Sequence, residues 1–242
     1  RPQSWVLYAA FAATCFVLVP LSTSRAGMAL ALPALAATLL LCGAVPLRRA
    51  TRSKRALALL VGVGLFAAVG LRAAMGWMAV DQAEELRHAM TRATGALGAA
   101  HAPWGSGTGS FVQVFEQAAS SQFWFAAYVN HAHNEYVQWW LEAGWLGLLA
   151  IAAVIALQAA AGWQIARARG RDGNAILAAS CFVAVCAVLA HSWADFPLRT
   201  TLLMTTTAAL AGLMVSALAD VRGRNGVTEH ASMQAIEDEQ PA

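Results

Sequence analysis

Charge is scarce in this sequence. Lys, Arg, Asp and Glu make up 12% of its 242 residues, about half of the ~25% usual in a soluble globular domain. That shortage argues against an ordinary water-soluble enzyme. Cysteine is sparse as well: Cys15, Cys42, Cys181 and Cys186 all fall inside apolar runs, and none lies between residues 81 and 135. Such placement argues against a disulfide framework and against a thiol nucleophile. There is no internal repeat and no cleavable signal peptide; the chain begins at Arg1, is apolar by Trp5, and reads as the C-terminal portion of a longer membrane protein. The glycine-rich run Gly105-Ser106-Gly107-Thr108-Gly109 has no preceding strand and no Gly-Lys-Ser/Thr ending, so it reads as a flexible turn presenting Phe111 and not as a phosphate loop.

What the sequence does have is apolar length, with 59% hydrophobic residues. Runs near 5–21, 28–47, 56–80, 143–163, 175–194 and 200–219 each approach the ~20 helical residues that cross a hydrocarbon core. Backbone groups in lipid must bond internally, so these runs are expected to be helices. Six spans alternate consistently with the basic clusters. Arg48, Arg49, Arg52, Lys54 and Arg55, then Arg167, Arg169 and Arg171, then Arg222 and Arg224 all fall on one side, which the positive-inside rule makes cytoplasmic. The net charge of +3 follows from that topology, and no nucleic-acid partner is expected. The expected architecture is all-α, a polytopic membrane helix bundle with a mostly helical external loop. Its divisions are spans one to three over 1–80, the loop over 81–135, spans four to six over 136–221, and a disordered cytoplasmic tail over 222–242.

The external side collects the chemistry-bearing residues. It holds the hairpin turn from Leu21 to Gly27, the loop from Asp81 onward, and the turn from His191 to Arg199. Within the loop, Asp81–Met90 reads as an amphipathic helix on the membrane surface, Phe111–Gln117 as a short helix, and Phe123, Trp124, Phe125 and Tyr128 as an interfacial segment.

The densest polar stretch is His131-Ala-His133-Asn134-Glu135-Tyr136-Val137-Gln138-Trp139-Trp140-Leu141-Glu142-Ala143-Gly144, where the loop enters an apolar run. Ionisable groups at a membrane boundary are costly and default to a functional reading. At about 100° per residue, a helix here puts Val137, Trp140 and Gly144 on the face of His133. Glu135 and Glu142 share the opposite face and are not its direct partners. Asn134 can cap the helix. The dipole disfavours the cation of a histidine in the first turn, and a neutral imidazole is what a general base requires. The competing reading makes His133 and Asn134 interfacial caps. A third takes His131 and His133 as a metal pair completed by His191, Asp195 or a glutamate; a His-x-His pair alone is a weak signal.

Two arginines face the same side. Arg25, in the turn Ser22-Thr23-Ser24-Arg25-Ala26-Gly27, is a snorkelling anchor or an anion ligand. Arg199 closes His191-Ser-Trp-Ala-Asp195-Phe-Pro-Leu-Arg199 and runs against the positive-inside bias. It either pairs with Asp195 or binds an anionic head group. His191 and Asp195, four apart, can pair with each other.

Taken together, Ser24-Arg25-Ala26-Gly27, Gly105-Ser-Gly-Thr-Gly-Ser-Phe, Asn130-His-Ala-His133-Asn134-Glu-Tyr, Glu142-Ala-Gly144-Trp-Leu-Gly147 and the His191–Arg199 segment resemble the O-antigen ligase family. That family also includes O-antigen polymerases and protein O-oligosaccharyltransferases of bacterial envelopes. The resemblance implies an inner-membrane, metal-independent glycosyltransferase without a cofactor, its site facing the periplasm. The donor would be a glycan on undecaprenyl diphosphate, and the acceptor a hydroxyl of lipid A–core, of another glycan or of a protein. It makes His133 the functional histidine and Arg25 an arginine on the diphosphate, with Asn134, Asp195 and Arg199 as further substrate-binding positions. Displacement from the back face would invert the anomeric centre. The alternatives are a polymerase of the same family, a non-catalytic transporter of lipid-linked glycan using the same arginines, and an intramembrane metalloprotease, for which no ligand set lies within the spans.

Overall fold

The computed structural model describes residues 14, 19, 24–41, 82–118, 123, 129–168 and 172–238, with the backbone alone at 25, 39–40, 82–84 and 224–238. Among the described residues there is no strand. Six α-helices follow one another along the longer described stretches: α1 (Arg25–Leu41), α2 (Gln82–Ala100), α3 (Phe111–Ala118), α4 (Glu135–Arg167), α5 (Gly173–His191) and α6 (Thr201–Asp238). A 3-10 turn at Pro197–Arg199 joins α5 to α6.

Among the described residues three helices are long and apolar enough to cross a membrane: α4 with 33 residues, α5 with 19, and the first 23 residues of α6. They coincide with the expected spans at 143–163, 175–194 and 200–219. Their large apolar side chains are exposed, among them Leu149, Ile155 and Leu157 on α4 and Leu202, Leu213 and Val215 on α6. A helix that is apolar all round and still exposed needs lipid against it. Expected spans one and three, and the basic cluster at 48–55, lie outside the described residues, apart from Thr14 and Val19, which are helical. At expected span two the described helix, α1, has 17 residues, fewer than the ~20 a membrane crossing takes, and it begins earlier than foreseen. Ser24 accepts from the Gly27 N–H through its Oγ at 3.1 Å and from the Met28 N–H through its carbonyl at 3.0 Å. This cap makes Arg25 the first residue of α1 instead of a turn residue.

The helices alternate in direction, so one end of the bundle carries the start of α4, the end of α5 and the start of α6. The other end carries Arg167 and Arg222. There Asp172 caps α5 by accepting from Ala175 N–H at 2.9 Å, and Asn174 bonds Asp220 of α6 at 3.0 Å. Between α4, α5 and α6 the core is built from small and flexible residues, Ala161, Ala178, Cys181, Met214 and Ala217, which let helix axes approach closely in lipid. The tail expected to be disordered from 222 instead continues α6 as helix to Asp238. Ala231, Met233, Gln234, Ala235 and Glu237 are strong helix formers, and no proline interrupts them.

A second core lies between α2, α3 and the start of α4. Met90 of α2, Phe111 and Phe115 of α3, Phe123, Ala132 and Leu141 of α4 bury one another. Phe111 stacks on Phe115 at 5.1 Å, and Phe123 meets Phe115 edge-on at 5.2 Å. Leu86, Ala89, Ala93 and Leu97 add the apolar stripe of α2 to this cluster. The amphipathic face read as membrane-facing is therefore covered by protein. Amphipathicity demands an apolar partner but does not say which one.

The two parts meet at a break in α4. Gly144 has φ 56° and ψ −138° inside the helix, which interrupts the ladder and frees the carbonyls before it. The glycine-rich turn supplies the missing donors. Ser106 N–H donates to Leu141 O at 2.8 Å, Gly107 N–H to Glu142 O at 3.0 Å, and Trp145 N–H returns a bond to Pro103 O at 3.0 Å. A side chain at either face of this joint would collide: a Cβ on Gly144 falls 2.1 Å from Pro103 O, and one on Gly105 falls 2.6 Å from Glu142 O. The turn is thus docked backbone to backbone and is not a flexible linker.

Gly144→Ala is accordingly expected to destabilise the protein by roughly 3 kcal/mol, combining a forced backbone shift with a left-handed conformation. Gly107→Ala, whose Cβ meets nothing within 4 Å, retains only the backbone strain of about 1 kcal/mol. Unfolding midpoints of the two variants in detergent check the difference; equal losses would mean the joint is not seated as described.

Candidate active site

The segment that enters α4 is fixed before it turns. Ala132, fully buried, accepts from Thr91 Oγ1 of α2 at 3.4 Å and donates its N–H to Gln138 Oε1 at 3.1 Å. Asn134 is the N-cap, extended at φ −156°, its Oδ1 accepting from Val137 N–H at 3.1 Å. His133 therefore lies one residue outside the helix, and the helical face it was expected to share with Val137 and Trp140 does not form. Its backbone is left-handed, with φ 52°, a conformation uncommon in residues other than glycine and worth about 1–2 kcal/mol of strain.

In that conformation the His133 ring packs edge-on against Phe196 at 5.0 Å. Its Nδ1 lies 3.0 Å from Asp195 Oδ1. The two side chains are 28% and 37% exposed, so a substrate can reach them. Asp195 bonds its backbone N–H to His191 O at 3.0 Å, but its carboxylate is directed to His133, not to the His191 side chain four residues back. The hydrogen bond from His133 holds the Asp195 carboxyl below the ordinary carboxylate value, outweighing partial burial, which pushes it up. The charge on His133, the Phe196 N–H and the Arg87 charge from α2 add to the lowering. His131 packs on the same Phe196 ring at 4.4 Å. Burial and then the Arg199 charge lower its pKa from 6.5, which favours the neutral ring.

The face of α4 carrying Glu135, Gln138 and Glu142 is buried, each residue being at most 4% exposed. Glu135 Oε1 accepts from Leu198 N–H at 2.6 Å, and the Glu135 N–H donates to Ser192 O at 2.9 Å. Glu142 takes the Arg199 guanidinium through both oxygens, NH2 to Oε2 at 3.0 Å and NH1 to Oε1 at 3.3 Å. Gln138 Nε2 donates to Glu142 Oε1 at 3.0 Å and lies 3.4 Å from His131 Nδ1. Among the described residues no buried side-chain polar atom lacks a partner. The turn from Ser192 to Arg199 is thus gripped at both ends by one helix face, and Asp195 is held between the grips.

The structure therefore brings His133 and Asp195 together, with Asn134 capping beside them. It separates Asp195 from Arg199, which the sequence had paired as one option. The spacing alone singles out neither the acidic face nor Gln138 and Arg87 as site residues. The signal for the face lies in that spacing taken with composition: 135, 138 and 142 are one side of a helix whose other sides are apolar. Arg25 stands at the start of α1, and its side chain lies outside the described residues. The same helix start opens onto a cavity of about 500 Å³ whose lining includes Ser24, Gly27, His191, Asp195, Pro197 and Thr200. One space thus joins the positive end of α1 to the carboxylate that holds His133. Among the described residues no three His, Cys, Asp or Glu side chains converge as a metal-ligand set would.

A family model described as O-antigen ligase matches residues 10–152. The matched range contains Arg25, His133, Asn134 and Glu142 and stops before Asp195 and Arg199. Comparison with curated proteins and with solved structures gives no match.

The His133–Asp195 bond has a pH signature. Because the folded-state pKa of Asp195 lies below its ordinary value of 3.8, its stabilisation is fully present above that value and is lost as the pH falls toward the folded pKa. As the pH falls below about 4, unfolding midpoints should fall in the wild type and fall less in Asp195→Asn. Identical slopes would mean that the bond contributes nothing in solution.

Proposed function

The chain belongs to the O-antigen ligase family, and on that footing we propose that it is an inner-membrane glycosyltransferase moving a glycan from undecaprenyl diphosphate to an acceptor hydroxyl. Membership of the family implies a role in polysaccharide biosynthesis. The observation that carries the catalytic reading is the His133–Asp195 hydrogen bond at 3.0 Å, made by a partly exposed ring in a left-handed backbone.

Transfer from a diphosphate has two requirements: the acceptor oxygen must lose its proton as it attacks, and the departing diphosphate must be stabilised as negative charge develops on it. Asp195, ionised by its low pKa, favours the tautomer with the proton on Nδ1 of His133. The Nε2 lone pair is then available to the acceptor hydroxyl. The acceptor oxygen bonds to the anomeric carbon while the anomeric C–O bond to the diphosphate breaks. The hydroxyl proton passes to Nε2, and undecaprenyl diphosphate leaves with the electron pair. Attack from the face opposite the leaving group inverts the anomeric centre. Arg25 and the N-terminus of α1 would hold the diphosphate at the cavity, and Arg199 would add a further donor pair, since its carboxylate partner uses only part of its five-donor fork. Asn134 would act at the site by fixing the helix start beside His133.

The orientation follows the same logic. His133, Asp195 and the start of α1 lie at one end of the helices, and Arg167 and Arg222 at the other, as expected of a multi-pass protein whose site faces the periplasm. In this reading residues 81–135 are the periplasmic segment.

In a transfer assay with lipid-linked donor, His133→Ala is expected to lower the rate by about 10²–10⁴-fold, the usual contribution of a general base. Asp195→Asn should lower it by at least about tenfold by releasing the tautomer. Gels of envelope glycans from a gene-deleted strain complemented at matched protein levels check both. The position of the restored glycan, on lipid A–core, in a polymer ladder or on protein, identifies the acceptor. Full restoration by His133→Ala would remove the transferase assignment from this residue and favour a carrier that binds lipid-linked glycan without cleaving it.

A further inference from the structure

The donor-side arginine Arg199 is not placed by its own element. The 3-10 turn that carries it is three residues long, and its guanidinium is fixed by a carboxylate on another helix, 57 residues earlier in the chain. That carboxylate, on Glu142, is held from two directions. Its oxygens meet Arg199 and the amide of Gln138, while its backbone carbonyl, released by the break at Gly144, is taken by the Gly107 N–H at 3.0 Å. Next to it, Leu141 O receives both the N–H and the hydroxyl of Ser106, at 2.8 and 3.1 Å. Ser106 Oγ in turn lies 2.6 Å from Ser110 Oγ. A continuous chain of bonds thus runs from the external glycine turn through the backbone of α4 to the Arg199 fork.

We propose that Glu142 is a positioning residue for glycan transfer, setting the place of Arg199 against the donor's anionic group, and that the Gly105–Gly109 turn docked at Gly144 fixes Glu142 in turn. The proposal rests on the reading of Arg199 as a donor-binding arginine. A guanidinium held bidentately keeps its plane fixed and presents its remaining donors in one direction, whereas a released one samples many rotamers. Loss of Glu142 should therefore weaken capture of the donor and leave proton transfer at His133 unaltered.

The test is steady-state transfer by the purified protein in detergent, with donor and acceptor concentrations varied separately. Glu142→Gln is expected to raise the donor KM about tenfold or more, the order lost with a charge-assisted bond pair. The acceptor KM and the pH profile should stay unchanged, and kcat should stay within about threefold, as for lost uniform binding. Glu142→Asp should recover part of the donor affinity. Should the Gln variant fail to accumulate, the exchange Glu142→Arg with Arg199→Glu preserves a pair at the same place while moving the cation to α4. Weak donor binding is expected from that protein, and normal binding would mean that the place of the cation does not matter. An unchanged donor KM in folded Glu142→Gln, or normal donor binding by the exchanged pair, overturns the inference. Inactivity of His133→Ala alongside an unchanged Glu142→Gln would overturn this proposal alone, whereas full activity of His133→Ala strikes the transferase reading itself.

Discussion

The carboxylate of Glu142 closes on the guanidinium of Arg199 through two oxygens, at a point where the carboxylate is almost wholly shielded from water. Neither charge is tolerable there alone. Removing one member of such a pair leaves an unpaired buried charge and costs on the order of 3–5 kcal/mol. The pair therefore fixes the Arg199 end of the turn after α5. Two turns of helix earlier, Glu135 holds both Ser192 O and Leu198 N–H, and this second grip fixes the segment between them. Asp195 is carried on that segment, and the position of Asp195 sets the orientation of His133. The geometry of the candidate site is thus a consequence of one buried polar face on an otherwise apolar helix.

The same face explains why α4 is broken. A straight helix through Gly144 would keep Leu141 O and Glu142 O in its own ladder, and the glycine-rich turn would have no acceptors to dock on. Breaking the helix exchanges intrahelical bonds for bonds to Ser106 and Gly107 and leaves no buried side-chain polar atom unsatisfied among the described residues. Helices α2 and α3 are in this way attached rigidly to the apolar helices. The glycines are needed at the joint because two backbones approach closer than any Cβ permits, and not because the turn is mobile.

What the sequence makes legible is mostly local. The apolar lengths of α4, α5 and α6, the cap at Asn134, the short helix α3 and the shared face of Glu135 and Glu142 all follow from spacing along a few turns. The motifs also mark His133, Asp195 and Arg25 as residues of interest, although their roles are not written in the spacing. The partners are where local reading stops. His133 meets Asp195 across 62 residues and Arg199 meets Glu142 across 57, whereas sequence proximity pairs Asp195 with His191 or with Arg199. Likewise the amphipathic pattern of α2 requires an apolar surface without distinguishing a bilayer from Phe111 and Phe115. The left-handed backbone at His133 has no sequence signature, since it results from the tether at Ala132 on one side and the cap at Asn134 on the other.

The central claim is that Asp195 presents His133 with its Nε2 free to take a proton. Nitrogen-15 spectroscopy of histidine-labelled protein, with the His133 signal assigned by comparison with His133→Gln, reads this tautomer directly. The account predicts that the neutral ring carries its proton on Nδ1, and that the preference is lost in Asp195→Asn. A neutral ring protonated on Nε2 in the wild type would contradict it, because that nitrogen could then only donate to the acceptor and not deprotonate it.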